Sequence, residues 1–224
     1  MTTPDSSRPT EDQVLAAQAD AVDRGLNITV EGDTQHTVQT LSQTYPTTVA
    51  DLWEACTDPV RLERWFAPVG GDLELGGRYQ IEGNASGTIE SCEPPHFYSL
   101  TWEFAGGISH VTIRIAEADA GARLTLEHSH TGEANADFWV QFGPGATGVG
   151  WDISLLGLAN HLVAGTGHSE KENEGVASAQ AQDFVRTSST RWGEASAAAG
   201  TPVDQARAAA ERTTDFYLGH PPAE

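Results

Sequence analysis

The sequence predicts an α+β fold, a curved antiparallel sheet closed over one long helix. Three observations predict it. Segments between residues 72 and 130 alternate apolar and polar side chains with period two, the pattern of a sheet with one wet face. Short Gly- or Pro-marked turns separate them, which implies an antiparallel meander. One amphipathic helix, opened by Gly150-Trp151-Asp152, then closes the run, so the apolar face has one evident partner. A curved sheet gripping a single helix encloses a cavity, which points to small-molecule binding.

The elements follow in order. Residues 1–10 are polar. Glu11 to Gly25 has helical spacing, with Val14, Ala17, Ala21 and Val22 as its stripe and Gly25 as its stop. Thr34 to Tyr45 reads as a polar strand broken by Pro46. Thr47 or Thr48 caps a helix carrying Val49, Leu52, Trp53 and Cys56, and Asp58-Pro59 caps a second, Val60 to Phe66. Leu73, Leu75, Tyr79 and Ile81 share one parity, so the spacing predicts one long strand bent at Gly76-Gly77. Ile89 centres the next strand. Tyr98, Leu100, Trp102 and Phe104 share a face, as do Val111, Ile113 and Ile115, and then Leu124, Leu126, His128 and His130. Thr131 to Gly150 reads as a Gly-rich loop. Trp151, Leu155, Leu158 and Leu162 make the stripe of the long helix, which Gly165 and Gly167 end. His168 to Gly175 reads as a charged linker. Two more helices follow: Ala177 to Ala199, with Phe184, Val185 and Trp192 on one face, and one capped by Thr201-Pro202, with Val203, Ala206, Ala210 and Tyr217.

Composition narrows the function. The 224 residues hold 12 Lys plus Arg against 32 Asp plus Glu, a formal net charge of -20. That balance repels phosphate backbones and anionic bilayers, so neither nucleic acid nor membrane insertion is expected. The N-terminus has no signal-peptide pattern, and no apolar run is long enough to cross a bilayer, so the expected location is cytoplasmic. Cys56 and Cys92 match no metal or redox spacing and read as apolar fillers.

Three motifs carry chemical readings. Gly143-Pro144-Gly145-Ala146-Thr147-Gly148 fits the dinucleotide pattern, but no second strand follows, so it reads as a loop that hinges the long helix. His128-Ser129-His130 puts two imidazoles on one strand face. A zinc site needs a third ligand, and neither His161 nor Glu133 has a spacing that recommends it. Asp152 reads as favourable charge at a helix N-terminus. No cofactor, metal or catalytic residue is expected.

The run Leu52-Trp53-Glu54-Ala55-Cys56-Thr57-Asp58-Pro59, then Arg64-Trp65-Phe66-Ala67-Pro68, resembles the opening of the START-like (SRPBCC) superfamily. The resemblance continues through Asp72-Leu73-Glu74-Leu75-Gly76-Gly77-Arg78-Tyr79, Leu100-Thr101-Trp102-Glu103, Leu124-Thr125-Leu126-Glu127-His128 and Gly150-Trp151. Its branch is the bacterial homologues of the activator of the ninety-kilodalton heat-shock-protein ATPase. It implies a helix-grip fold over residues 34–165, preceded by a tail with a short helix (1–33) and followed by a linker and helical extension (166–224). It supplies no catalytic residue.

The expected function is binding of an apolar or amphipathic small molecule between sheet and helix. Its contacts would be Trp65, Phe66, Tyr79, Ile81, Trp102 and Phe104, with Ile113 and Leu126 beside them. Trp151, Leu155 and Leu158 would complete the pocket from the helix, and His128 and His130 would orient a polar group on the ligand. An alternative makes the chain an enzyme of the polyketide cyclase or hydrolase type, with His128 or His130 as base. A third makes it a co-chaperone-like or dimerising interaction module, with Phe184, Trp192 and Tyr217 of the C-terminal helices forming a homodimer contact or a lid.

Overall fold

The computed structural model describes residues 8–166 and 178–220. The helices are α1 (Glu11–Ala21), α2 (Val49–Thr57), α3 (Pro59–Trp65), α4 (Asp137–Phe142), α5 (Gly145–Ala159), α6 (Ala179–Ala198) and α7 (Val203–Leu218), and a π-helical turn, Asn160–Ala164, extends α5. The strands are β1 (Asp23–Glu31), β2 (Thr34–Tyr45), β3 (Val69–Gly71), β4 (Arg78–Ile81), β5 (Ser86–Glu93), β6 (Phe97–Phe104), β7 (Gly107–Ala118) and β8 (Gly121–Glu133). They form one antiparallel sheet in the order β1-β2-β8-β7-β6-β5-β4-β3. This is the antiparallel sheet that the alternation predicts, in the helix-grip architecture that the resemblance implies.

The inner face follows the predicted parities. Val111, Ile113 and Ile115 on β7 and Leu124 and Leu126 on β8 are buried. Trp151, Leu155 and Leu158 of α5 pack against them in the same core. Each such side chain removed from water contributes about 2 kcal/mol. The inner face of β2 is unusually polar, and its Gln39 and Gln43 side chains are hydrogen-bonded. Gln43 and Gln18 exchange amide hydrogen bonds at 2.8 and 3.1 Å, fastening α1 to the sheet. Gln39 donates to the Pro144 carbonyl at 2.6 Å, at the start of α5.

Four expectations are corrected. The first helix stops at Ala21, where Val22 is already extended, and buries Val14 and Gln18; Ala17 and Ala21 are exposed. Residues 23–31, expected as tail, are a full strand, because pairing with residues 34–42 of β2 satisfies their backbone groups. Residues 72–82 are not one bent strand. Gly71 and Gly76 take positive φ, so 72–77 forms a turn, and Leu73 and Leu75 are exposed. Residues 131–150 are not a loop: β8 runs to Glu133, α4 follows, and α5 begins at Gly145.

The dinucleotide-like motif therefore lies across a helix start, and it is no hinge. Its Gly148 lets α5 touch α6, since a Cβ there would overlap the Trp192 indole. Gly157, on the same helix, lets α3 approach: a Cβ there would lie 2.5 Å from the Trp65 carbonyl oxygen. The two C-terminal helices pack against each other and against α5, and α6 also packs against α1 and β1. The predicted charged linker, Gly167 with it, lies outside the described residues.

Candidate functional site

Between the sheet and α5 lies a cavity of about 400 Å³. Its floor is the inner face of β4 to β8, including Tyr79, Ile81, Leu100, Trp102, Ile113 and Leu126. Trp151, Ser154, Leu155 and Leu158 of α5 form one wall, and Trp53, Cys56 and Thr57 of α2 with Leu62, Trp65 and Phe66 at α3 form another. Leu73, Glu74 and Leu75 reach it from the 72–77 turn. With Leu75 64% exposed, that turn is the rim. Along β6, Tyr98, Leu100 and Trp102 face inward yet are only half-buried. Large side chains here line space rather than fill it.

The aromatic walls are rigid. Trp102 and Trp151 meet edge-on at 5.0 Å, and Trp53 meets Tyr98 edge-on at 5.8 Å. Their polar atoms are largely committed to the protein. The Trp65 indole donates to the Ala55 carbonyl at 2.9 Å, Tyr79 to the Thr101 carbonyl at 2.6 Å and Tyr98 to the Cys56 carbonyl at 3.4 Å. Burial raises both tyrosine hydroxyls above their ordinary range and pushes the Cys56 thiol up to about 12, so these groups stay protonated and un-nucleophilic.

Ten of the thirteen predicted contact residues line this cavity, and Phe104, His128 and His130 do not. Phe104 has the expected parity, but it sits at the β6–β7 turn, paired with Gly107 and 55% exposed. His130 is exposed beyond the core. His128 is buried behind Trp151 and bonded through both ring nitrogens. Because an indole N–H only donates, the 2.9 Å contact from Trp151 Nε1 makes His128 Nδ1 the acceptor. The proton then sits on Nε2, which donates to Ser109 Oγ at 2.7 Å. Burial first, then the nearby His130, lowers its pKa to about 4. A neutral imidazole with both nitrogens engaged holds Trp151 in place; it has no lone pair free to act as a base. Among the described residues no three His, Cys, Asp or Glu side chains are grouped to hold a metal.

Sequence reasoning missed several lining residues. Tyr98 and Leu100 share the parity of Trp102, and Trp53 with Cys56 shares one helix face, so their signal was present. Glu74 had none, because the 72–77 turn read as strand.

Asp152 does not act at a helix terminus. It is wholly buried in mid-helix, where Arg24 of β1 grips both carboxylate oxygens at 2.9–3.1 Å. Trp192 Nε1 donates to it at 2.9 Å, and Ser188 donates to the same oxygen. One carboxylate thus joins β1, α5 and α6. Phe184 and Trp192, which the interaction-module alternative places at a homodimer contact, are buried within the chain, and Tyr217 donates to the Ala146 carbonyl at 2.5 Å. No residue of α6 or α7 lines the cavity, so these helices brace α5 from behind and form no lid.

At the opposite end, Arg61 of α3 bridges Asp51 (2.8 Å) and His161 Nε2 (3.3 Å). That contact ties the helix bearing Trp65 to the π-turn. Partial burial, then Arg61 and Arg64, lowers the His161 pKa.

No helix of the described residues is long and apolar enough to cross a membrane. No curated protein matches the chain. Residues 46–162 match the family described as activator of Hsp90 ATPase homolog 1-like protein. The crystal structure of CalU16 from Micromonospora echinospora is 31% identical, covers 80% of this chain and 98% of its own, and has a TM-score of 0.56. Its solution structure gives 30%, 80%, 97% and 0.63. The crystal structure of DynU16, a protein in the dynemicin biosynthetic locus, is 21% identical, covers 57% of this chain and 48% of its own, with a TM-score of 0.51; it shares the fold. From the matched segment and the CalU16 identity together, the chain belongs to the activator of Hsp90 ATPase homolog 1-like family, within the START-like (SRPBCC) superfamily.

Proposed function

We propose that the protein binds an apolar or amphipathic small molecule in the cavity between sheet and α5. The half-buried inner face of β6 carries this reading: Tyr98, Leu100 and Trp102 border open space of about 400 Å³, within the range of small-molecule sites. Trp65, Phe66, Tyr79, Ile81, Trp102, Ile113, Leu126, Trp151, Leu155 and Leu158 supply contacts. The family match and the CalU16 likeness support it, since the superfamily resemblance implies a cavity between sheet and long helix. The reading places the protein in the cytoplasm, where the free thiols of Cys56 and Cys92 stay reduced.

Native mass spectrometry of protein purified from its own host, then denaturing extraction, tests this directly. The expected result is a bound molecule of defined mass, lost in Trp102→Ala. Where the protein arrives empty, an apolar-ligand thermal-shift panel should raise the wild-type melting temperature and leave Trp102→Ala unmoved. An empty protein with no shift for any ligand would refute the reading.

A further inference from the structure

We infer that the cavity selects neutral or cationic ligands and rejects anionic ones, so that fatty acids and other carboxylates are not its cargo. This rests on the ligand-binding reading and sharpens it. Among the described residues lining the cavity, Glu74 is the sole ionisable side chain charged at neutral pH, and no arginine joins it. Glu74 stands on the exposed rim turn and forms no ion pair with any described residue. A ligand carboxylate entering here would lose its hydration in an apolar interior, find no cation there, and meet a like charge at the rim.

The hydrogen-bonding inventory agrees. Thr57 donates to the Trp53 carbonyl at 2.8 Å and Ser154 to the Gly150 carbonyl at 3.0 Å, so their protons are committed, as are those of Trp65, Tyr79, Tyr98 and Trp151. The lining side-chain N–H groups that remain unpartnered are the indoles of Trp53 and Trp102. Two single neutral donors suit a carbonyl or ether oxygen on a flat ligand. They do not build the multi-donor, cationic cradle by which proteins recognise a carboxylate or phosphate.

Equilibrium dialysis at pH 7.5 with a matched set of pyrene probes tests this. 1-Pyrenebutanol should bind, 1-pyrenebutyrate should bind at least about tenfold more weakly, and 1-pyrenebutylammonium should match or exceed the alcohol. In Glu74→Gln the ratio of alcohol to carboxylate affinity should fall several-fold. A diffuse effect of the whole acidic chain would survive that substitution, since it removes one charge from a net -20. Equal affinity for alcohol and carboxylate overturns the selectivity while leaving ligand binding intact. A gap unchanged in Glu74→Gln overturns the role of Glu74. Failure of all three probes to bind overturns the selectivity together with the reading beneath it.

Discussion

Replacing Asp152 with alanine should be among the most damaging single changes in this protein. The carboxylate is wholly buried, and the Arg24 side chain that grips it is 5% exposed. Without it, the guanidinium keeps only the carbonyls of Ala19 and Val22, each at 2.9 Å, which leaves a buried charge unneutralised. The Trp192 N–H and the Ser188 hydroxyl lose their acceptor at the same time. Breaking a buried pair from one side costs about 3–5 kcal/mol, much of the stability of an ordinary domain. Urea unfolding followed by far-UV circular dichroism should show the midpoint falling by about 2 M, taking a slope of about 2 kcal/mol/M. Asp152→Asn keeps the shape but not the charge and should lose most of the same stability. The pair Arg24→Met with Asp152→Leu should be more stable than Asp152→Ala alone, because no orphaned cation remains. A midpoint shift below about 0.5 M in Asp152→Ala would refute the assignment of this pair as the link between sheet and C-terminal helices.

Two further predictions concern pH and packing. The His128 imidazole, ordinarily near 6.5, is held near 4 in the fold, so the unfolded chain takes up its proton first as pH falls. The resulting stability is complete above pH 6.5 and lost between 6.5 and 4; wild type should lose about 3 kcal/mol more over that window than His128→Gln, and parallel pH-stability curves would contradict this. Gly148→Ala should cost about 1–3 kcal/mol, because the added methyl meets a fully buried Trp192 that has nowhere to move, and an unchanged thermal midpoint would show that α5 and α6 do not touch there.

Much of this architecture was legible because strand parity is a local property. Tyr98, Trp102, Ile113 and Leu126 face inward as their alternation demands. What escaped depends on partners distant in sequence. Residues 23–31 have no strong alternation, and they become a strand because β2 offers an edge. Leu73 and Leu75 share the parity of Tyr79, but parity cannot register the positive φ at Gly71 and Gly76 that ends the strand between them. Asp152 sits near the apparent start of the long helix only if that helix begins at Gly150. It begins at Gly145, and the carboxylate's true partner lies 128 residues upstream. His128 and His130 alternate onto one face, yet one is sealed behind Trp151 and the other projects past the core. Whether an aromatic cluster fills space or borders it is decided by the curvature of the sheet, which no single segment encodes.

The distribution of tryptophan gives the protein two built-in optical reporters. Of its six indoles, those of Trp53, Trp65, Trp102 and Trp151 border the cavity, while Trp192 is sealed between α5 and α6. The Trp102–Trp151 contact at 5.0 Å is close enough for their excited states to couple, so their near-ultraviolet dichroism senses the distance between sheet and helix. An occupant would quench or shift the emission of the first four and leave Trp192 dark to the event; undocking of the C-terminal helices would do the reverse. Filling of the cavity and release of its brace can therefore be followed separately, without any label, in the same sample.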